Sequence, residues 1–577
     1  MNQFRRLRRP LLVVTLLVMA LTACTPGPSA TRPVDTAPVV ALPAPGRTLV
    51  AAVALEPPDL AVRGLRERGV ALFLSKRLFN ANLALLDERA TPRPYLAEAL
   101  PQLNSDTWRV FPDGRMETTW RLKPGLTWHD GVPLTAADFA FAWRLYATPQ
   151  LGVSASAPIN ALEEVTAIDD RTLVMRWASL YADAGSLAAV NREFPPLPRH
   201  ILESALQEQT PDAFGNHPFW GREYVGLGPY RLERWEPGAF IEAVPFAQHV
   251  LGRPRIDRVK LVFIRDPNTG LANLLAGEVQ LAADGVLGLK QATLLKREWA
   301  ARQGGAVLSH PNQWRVTAFQ LRPELAKHRA LLDPRVRKAL AHALDKAALQ
   351  EALYEGEELP ADFVVGPLSQ WWEASNSSIT RYPFDVRRSE QLMGERGFLK
   401  GADGFYTSAT EGRFGAELKS NTTSESEAEL SAMANEWRTR GFDLDQALLP
   451  APLAVDAQAR ASFTGMFTFN TNAAEVTLLN YASSAIPSAE NRWVGGNRGG
   501  WSNPAYDRLA DAFGTLLDPG ERGGQVAGMA RIFTEDLPVI SLFFRTQAWA
   551  HTAQMRGLKL SAPEAPMPWN VHEWEYS

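Results

Sequence analysis

The sequence predicts an α/β protein with more than one lobe. It has 577 residues, which is more than a single hydrophobic core usually supports, so two or three lobes are expected. The composition is that of a globular protein, with 46% hydrophobic and 21% charged residues. Segments with the alternation of strands and segments with the spacing of helices both occur, and no repeat of fixed period is evident.

The charge and the aromatic content of the chain limit the functions that it can have. The 60 basic and 63 acidic residues give a net charge of −3, so there is no basic field of the kind that binds nucleic acid, and no nucleic-acid partner is predicted. The 17 tryptophans suit either a large core or a ligand cavity with aromatic walls.

The N-terminal residues have the pattern of a secretory signal. Four arginines between residues 5 and 9 precede an apolar run over 11–21 that is too short to span a bilayer comfortably. The run ends in Leu21-Thr22-Ala23-Cys24, which resembles the lipobox of bacterial lipoproteins. We therefore predict a signal peptide over 1–23 and lipidation of Cys24. The alternative, a cytosolic protein with one buried cysteine, does not explain why all parts of the signal coincide.

A tether is predicted to follow the lipid anchor. Residues 24–47 are rich in Pro, Ala, Ser and Thr and show no helical or strand periodicity, as expected of a disordered, extended linker. Cys24 is the only cysteine, so lipidation would leave no thiol for a disulfide. The predicted location is the outer face of the cytoplasmic membrane or the periplasm and cell envelope.

A hairpin and a capped helix are predicted between residues 108 and 144. Apolar residues alternate from Met116 to Leu122 after a Pro-Asp-Gly turn, which indicates a hairpin. Thr135 and Asp138 have the spacing of a capping box at the start of a helix. His129 and Asp130 could be read as a catalytic pair, but sequence neighbours on a strand point to opposite faces. We therefore interpret His129 as a strand-end residue, with little effect on stability, and Asp130 as part of a turn.

The same segment resembles a signature of the family 5 extracellular solute-binding proteins, the peptide-binding subunits of bacterial ABC importers. The matching parts are Trp120-Arg121-Leu122-Lys123-Pro124-Gly125, Trp128-His129-Asp130-Gly131 and Pro133-Leu134-Thr135-Ala136-Ala137-Asp138, closing on Trp143. Further resemblance lies at 95–103, 226–238, 252–282, 331–349, 499–513 and 536–551. The segment 331–349 also reads as one helix, with Asp333 as N-cap and an apolar stripe through Val336, Leu340, Ala343 and Ala347.

The resemblance implies the fold and its organisation. We expect the two-lobed periplasmic-binding-protein fold, class II type, with an extra subdomain inserted in the first lobe. The first lobe is expected over 48–82, 226–308 and 550–577, the inserted subdomain over 83–225, and the second lobe over 309–549.

The resemblance also implies a function. We expect a monomeric, lipid-anchored receptor that captures a peptide or peptide-like solute between its lobes and delivers it to ABC permease subunits in the membrane. Two alternatives stay open: a non-transporting peptide sensor or scaffold of the same fold, and an extracytoplasmic enzyme. No hydrolase, metalloprotease, paired-cysteine or phosphate-loop motif is found, so no catalytic residue, cofactor or metal is predicted.

The ligand site is where the sequence departs from the family. Oligopeptide- and dipeptide-binding members place an aspartate after a Gly-aromatic pair to bind the α-ammonium group, whereas here no carboxylate follows Gly465 until Glu475. We therefore predict a solute that lacks a free α-amine or leaves it in water, because a buried ammonium needs a carboxylate partner. The predicted ligand-binding residues are the aromatic side chains Phe467, Phe469, Trp493 and Trp501 and the polar side chains Asn470, Asn497 and Arg498. The alternative is that these aromatics are core and that another acid reaches the cavity.

Overall fold

A computed structural model describes residues 47–65, 72–151, 157–188, 192–450, 453, 456–491, 493 and 495–577. The predicted signal peptide, Cys24 and almost all of the predicted tether lie outside these residues. No helix in this part of the chain has the length and apolar character needed to cross a membrane.

Helices and strands alternate along the described chain. The α-helices, numbered α1 to α14, are Phe73–Phe79, Ala136–Tyr146, Arg199–Glu208, Pro211–Gly215, Pro267–Ala276, Leu289–Arg302, Pro334–His342, Lys346–Tyr354, Trp372–Asn376, Val386–Glu395, Ser424–Thr439, Ala457–Ala461, Pro504–Phe513 and Pro519–Asp536. The strands, β1 to β22, are Thr48–Val53, Ala84–Leu86, Pro92–Pro94, Trp108–Val110, Met116–Arg121, Leu162–Ala167, Thr172–Trp177, Tyr230–Glu236, Phe240–Pro245, Arg258–Phe263, Leu281–Leu287, Gly305–Phe319, Leu359–Pro360, Leu399–Lys400, Tyr406–Ser408, Gly412–Arg413, Gly415–Asn421, Asp443–Leu449, Met466–Asn472, Val539–Thr552, Met555–Arg556 and Glu575–Tyr576. Short 3-10 helices include Glu475–Tyr481 and Val571–Glu573.

One mixed sheet organises the molecule. Its strand order is β18-β17-β19-β12-β20-β11-β1-β10-β9-β8, with β13 paired to β20. The pairs β1–β10, β1–β11, β17–β18 and β17–β19 are parallel and the others are antiparallel. A mixed sheet of parallel and antiparallel pairs with helices between its strands agrees with the α/β class that the sequence predicts.

Two long strands connect the two halves of the sheet. The first part of β12, residues 305–311, pairs with residues 546–552 of β20, and β20 continues the sheet through β11. The later part, residues 313–319, pairs on its other edge with β19. The register of the β12–β20 pair shifts between Pro311 and Gln313, and β12 stays paired with β20 beyond the shift while β19 adds to its other edge. The predicted lobe boundaries at 308/309 and 549/550 fall inside these two strands, and the division into lobes stays a prediction.

The predicted hairpin lies in a separate antiparallel sheet, β4-β5-β7-β6. Met116, Thr118, Trp120 and Leu122 are all buried, so the period-two pattern predicted the inward face. This sheet packs into the same hydrophobic core as β1, β9, β10 and Trp574 near the C-terminus. Residues predicted as an insertion and residues predicted as first lobe therefore share one core.

The capping box is present and does more than the sequence indicates. The Asp138 carboxylate accepts hydrogen bonds from the backbone N–H groups of Thr135, at 2.9 Å, and Arg199, at 3.0 Å. Asp138 thus begins α2 and also joins it to the start of α3. These bonds provide the hydrogen-bond donors that the buried carboxylate needs.

The single helix predicted over 331–349 is wrong. Asp333 caps α7 as expected, accepting the N–H of Arg335 at 2.9 Å. However, α7 ends at His342, and Asp345 begins a second helix, α8, by accepting the N–H of Ala348 at 3.0 Å. Ala347 is exposed and belongs to no stripe with Val336 and Leu340. An aspartate inside a helical pattern favours a new N-cap because its side chain competes for backbone N–H groups.

His129 is a half-buried residue, and its ring contacts indicate a larger effect on stability than the sequence predicts. Its Nδ1 accepts the Gly226 N–H at 3.2 Å, so Nε2 carries the proton and donates to the Gly228 carbonyl at 3.0 Å. Burial lowers its pKa to about 4, so the ring is neutral at neutral pH. Gly228 has no room for a side chain, since a Cβ would lie 2.3 Å from the Leu78 carbonyl oxygen. The ring therefore fastens this glycine segment against α1.

Candidate functional site: a polar cavity between segments distant in sequence

A cavity of about 230 Å³ lies between parts of the chain that are far apart in sequence. Its lining residues come from 86–108, 182–186, 192 and 564 on the one hand and from 370–371, 475 and 517–522 on the other. The first set belongs to segments predicted as first lobe and insertion, and the second to the predicted second lobe. A ligand in this cavity would therefore touch both.

An arginine-clamped aspartate closes one side of the cavity. The Asp183 carboxylate binds the Nη1 groups of Arg192 and, at 3.1 Å, of Arg522 on α14. Burial alone would raise the pKa of Asp183, but the two guanidinium groups hold it below its usual value. The backbone supports the same contact, because the Ala182 N–H donates to the Gly514 carbonyl at 3.2 Å. This carboxylate is ionised and fully engaged by protein groups.

Aromatic side chains support the clamp. The Arg522 guanidinium lies 4.5 Å from the ring centre of Phe513 and 5.6 Å from that of Trp371. Cations over aromatic faces are stabilised by the ring quadrupole. Trp371 and Trp108 both line the cavity, which fits the aromatic-walled cavity that the tryptophan content predicts.

Two further carboxyl groups face the cavity, Glu475 and Glu564. Glu475 begins the 3-10 helix after β19, and Glu564 lies in the segment between β21 and β22. Ser369 Oγ donates to Glu564 Oε1 at 2.8 Å. Burial, followed by the nearby Glu475 carboxylate, raises the pKa of Glu564 to about 8. Glu564 therefore retains a proton at neutral pH.

The cavity has the features of a binding site. It offers donors, acceptors and aromatic faces. Over the described part of the chain, no three His, Cys, Asp or Glu side chains are grouped so as to hold a metal ion.

The predicted aromatic residues lie in or beside the second-half core. Phe467 and Phe469 are buried on β19, with ring centres 5.5 Å apart, and Phe467 also packs on Phe463. Trp501 is buried against Tyr506 and Phe533, and its Nε1 donates to Asp536 at 3.1 Å. Trp493 is half-buried in a turn with a φ of 62°.

The predicted polar residues have different surroundings. Asn497 is fully engaged: its Nδ2 donates to the carbonyls of Tyr481, Ala482 and Trp501, and its Oδ1 accepts the Trp501 N–H. Asn470 is exposed and accepts from Arg315 at 3.3 Å. The Arg498 guanidinium lies 4.3 Å from the Phe469 ring centre.

None of these seven residues is among the described residues that line the 230 Å³ cavity. Their contacts favour core and loop-bracing roles for Phe467, Asn497 and Trp501, and contact with a solute stays a prediction for all seven. Glu475, the first carboxylate after Gly465, lines the cavity together with Glu564, which fits the alternative that another acid reaches the cavity; the solute without a free α-amine stays a prediction.

The comparisons with known proteins agree with this architecture. The profile of bacterial extracellular solute-binding proteins, family 5 (middle region), matches residues 98–486. The oligopeptide-binding protein OppA of Bacillus subtilis is 21% identical over 76% of this chain and 79% of its own length. A Brucella ovis protein described as an ABC transporter peptide-binding protein is 24% identical over 51% of each chain. The chain thus spans about half the length of several curated relatives it matches.

Solved structures show the same fold. NikZ of Campylobacter jejuni, solved in complex with Ni(L-His), has a TM-score of 0.68 at 20% identity, covering 92% of this chain and 100% of that one. The oligopeptide-binding protein of Thermus thermophilus, complexed with a pentapeptide, has a TM-score of 0.65 at 22% identity, covering 92% and 96%. The predicted two-lobed α/β fold is confirmed. The chain belongs to the family 5 bacterial extracellular solute-binding proteins.

Proposed function

We propose that this chain is the solute receptor of an ABC importer and takes a peptide or peptide-like solute between its two lobes. The observation that carries the proposal is the cavity lined by residues 182–186 and 192 together with residues from 517–522. Ligand contacts with both walls stabilise the closed arrangement, which a permease can recognise. Relatives named as oligopeptide-binding proteins and a relative solved with a pentapeptide support the solute class.

The receptor acts as an exported monomer anchored through a lipid on Cys24. The support is the sequence pattern alone: a basic start, an apolar run and a lipobox-like end. Replacing Cys24 by serine should abolish incorporation of a labelled fatty acid in growing cells. Incorporation at the wild-type level would contradict the anchor. Membrane fractionation is a weaker readout, because an uncleaved apolar segment also holds a protein in the membrane.

Binding and transport are tested separately. The mature protein is mixed with a peptide digest of casein, and native mass spectrometry identifies the peptides retained. Uptake of the retained peptides is then compared in cells with and without the gene. Retention together with lost uptake supports the receptor. Retention with normal uptake favours a sensor or scaffold, and no retention contradicts the peptide class.

A further inference from the structure

Two arginines near β19 have no acidic partner. Arg460 lies on the short helix α12, and Arg498 lies in the loop before α13. Over the described chain neither guanidinium forms an ion pair, and Nε of Arg460 is buried without a hydrogen-bond partner. The Arg498 guanidinium instead lies over the ring of Phe469. Burial, followed by the nearby charge of Arg460, lowers the pKa of Arg498 to about 10, so Arg498 is still charged at neutral pH and lacks a counter-charge.

A third arginine fixes the backbone beside both cations. Nη2 of Arg322 donates to the carbonyl of Ala461 and, at 2.9 Å, to the carbonyl of Arg498. The loop can approach this closely because of Gly499, where a Cβ would lie 2.2 Å from the Phe319 carbonyl oxygen. The two unpaired cations are therefore presented from backbone positions that the fold itself sets, which is how a binding site is preorganised.

Tyr481 provides a second, independent observation. Its side chain is 4% exposed, and its hydroxyl has no hydrogen-bond partner among the described residues. Burial raises the pKa of this hydroxyl and the charge of Arg498 opposes the rise, so a neutral phenol lies near the guanidinium. Asn497 joins the two segments, since its Nδ2 donates to the Tyr481 carbonyl at 3.0 Å. A buried phenol needs an acceptor, and the unpaired cations need an anion.

The charge of the site indicates which anion fits it. Two guanidinium groups carry two positive charges, and their forked donors match the oxygens of phosphate. A phosphate monoester carries a charge of about −1.5 to −2 at pH 7 and has three acceptor oxygens. It can therefore balance both arginines and also accept the phenol proton. A single carboxylate would leave one of the two positive charges unbalanced.

We propose that Arg460, Arg498 and Tyr481 form a subsite for a phosphoryl group of the solute. The subsite rests on the proposed function and makes its substrate class a phosphorylated peptide or peptide-like solute. In the stretch after Gly465, oligopeptide-binding members of the family carry an aspartate for an ammonium group. In this chain the same stretch contributes Phe469, which supports a cation. The charge that a ligand must bring to this place is therefore reversed.

One element joins the subsite to the cavity. The 3-10 helix Glu475–Tyr481 begins at a residue that lines the cavity and ends at the subsite. At a rise of about 2 Å per residue the helix is about 12 Å long, a distance that about four residues of an extended peptide can span.

A casein digest tests the phosphoryl group, because casein carries phosphoserine. The protein is titrated with the digest, either untreated or treated with a phosphatase, and the melting temperature is followed. The untreated digest should raise the melting temperature more. Equal shifts would overturn the subsite and leave the receptor function intact. Loss of binding after methyl esterification of the carboxyl groups, with full binding after phosphatase treatment, would assign the subsite to a carboxylate and overturn the proposal.

Inorganic phosphate tests the subsite without a peptide. Melting temperatures of the wild type and of Arg498→Gln are compared in phosphate and in chloride of equal ionic strength. Phosphate stabilises proteins in general because it is excluded from their surfaces, so the readout is the difference between the two proteins. A larger phosphate shift in the wild type is expected, and equal shifts would overturn the subsite. If neither digest binds, the peptide class is contradicted and this titration decides the subsite.

Variants test the residues. Arg460→Gln and Arg498→Gln each remove one charge and should weaken binding of the untreated digest by about tenfold or more. Each should also bind the untreated and the phosphatase-treated digests alike, which a merely structural role would not cause. Arg508→Gln, at an exposed position of α13, is the matched control and should bind as wild type. Wild-type affinity in both subsite variants would overturn the proposal; if one fails to fold, the other decides.

Discussion

Two buried clusters of charge in this molecule differ in how completely they are paired. At the β12–β20 crossing, Arg315 and Arg545 meet Glu429 of α11, and both oxygens of Glu429 accept bonds, from Arg315 at 3.0–3.2 Å and from Tyr354 at 3.2 Å. Among the described atoms of these three charged side chains, only Arg545 Nε lacks a partner. In the cavity, the partners of Glu564 are neutral or acidic: the Ser369 hydroxyl at 2.8 Å and the Glu475 carboxyl.

The difference shows how a buried carboxyl depends on its partners. A charge that is fully hydrogen-bonded by cations fixes the elements around it. A buried carboxyl without a cationic partner is tolerated by retaining a proton. Burial by itself therefore does not decide whether a carboxyl is ionised; its partners do.

The largest effect is expected for Glu429→Ala. The substitution leaves Arg315, whose side chain is 5% exposed, without its carboxylate, which should cost about 3–5 kcal/mol of unfolding free energy. Urea unfolding measures it. Peptide binding by the folded fraction should be unchanged. A loss below about 1 kcal/mol would show that the paired cluster does not hold the crossing together.

His129→Ala tests a neutral group that is also fully hydrogen-bonded. Both ring nitrogens of His129 have hydrogen-bond partners. Losing its bonds to Gly226 and Gly228 should cost about 1–3 kcal/mol. Because the folded pKa is about 4, below the unfolded value of about 6.5, wild-type stability should fall as pH drops through this window, and the variant should lose less. His200→Ala is the control, since His200 bonds only the half-exposed Asp130.

Glu564→Gln should change the way stability varies with pH more than it changes the magnitude of the stability. The folded pKa of about 8 lies above the unfolded value of about 4.3. The stabilisation from the retained proton is therefore full below the unfolded pKa and is lost as pH rises through about 8. Asp284 and Glu358, whose pKa values burial raises to about 7, act in the same direction. Urea unfolding from about pH 5 to about pH 9 should show a smaller loss in the variant, and identical slopes would contradict the retained proton.

The smallest effect is expected for Glu425→Ala, the matched control for Glu429→Ala. Glu425 binds the same Arg545, at 2.8 Å, but its side chain is 56% exposed. Water replaces such a partner readily, so the cost should be below about 1 kcal/mol. A cost equal to that of Glu429→Ala would remove the distinction between buried and exposed partners.

Local patterns predicted the hairpin and the capped helix, and distance in sequence set the limit. The hairpin after Trp108 and the cap at Asp138 depend on a few neighbouring residues, so their patterns were sufficient. The helical pattern over 331–349 led to a wrong prediction at Asp345. That side chain caps a new helix and is not part of one continuous helical face. The cavity was beyond such patterns, because Trp371, Glu475 and Glu564 meet only after the sheet is assembled. Asn497 shows the converse: its type suggested a ligand contact, and only the fold reveals the carbonyls it binds.

The crossing strands also determine how the protein can be dissected genetically. Pro311 and Thr546 are register partners in the antiparallel pair of β12 and β20, so their backbones are about 5 Å apart. The chain therefore enters and exits the segment 312–545 at two neighbouring strands, so this segment could be removed as one continuous piece. A two-residue Asn-Gly turn joining Pro311 to Thr546 would close a hairpin. Residues 47–311 and 546–577 could then be expressed as one continuous polypeptide, although the gene separates them.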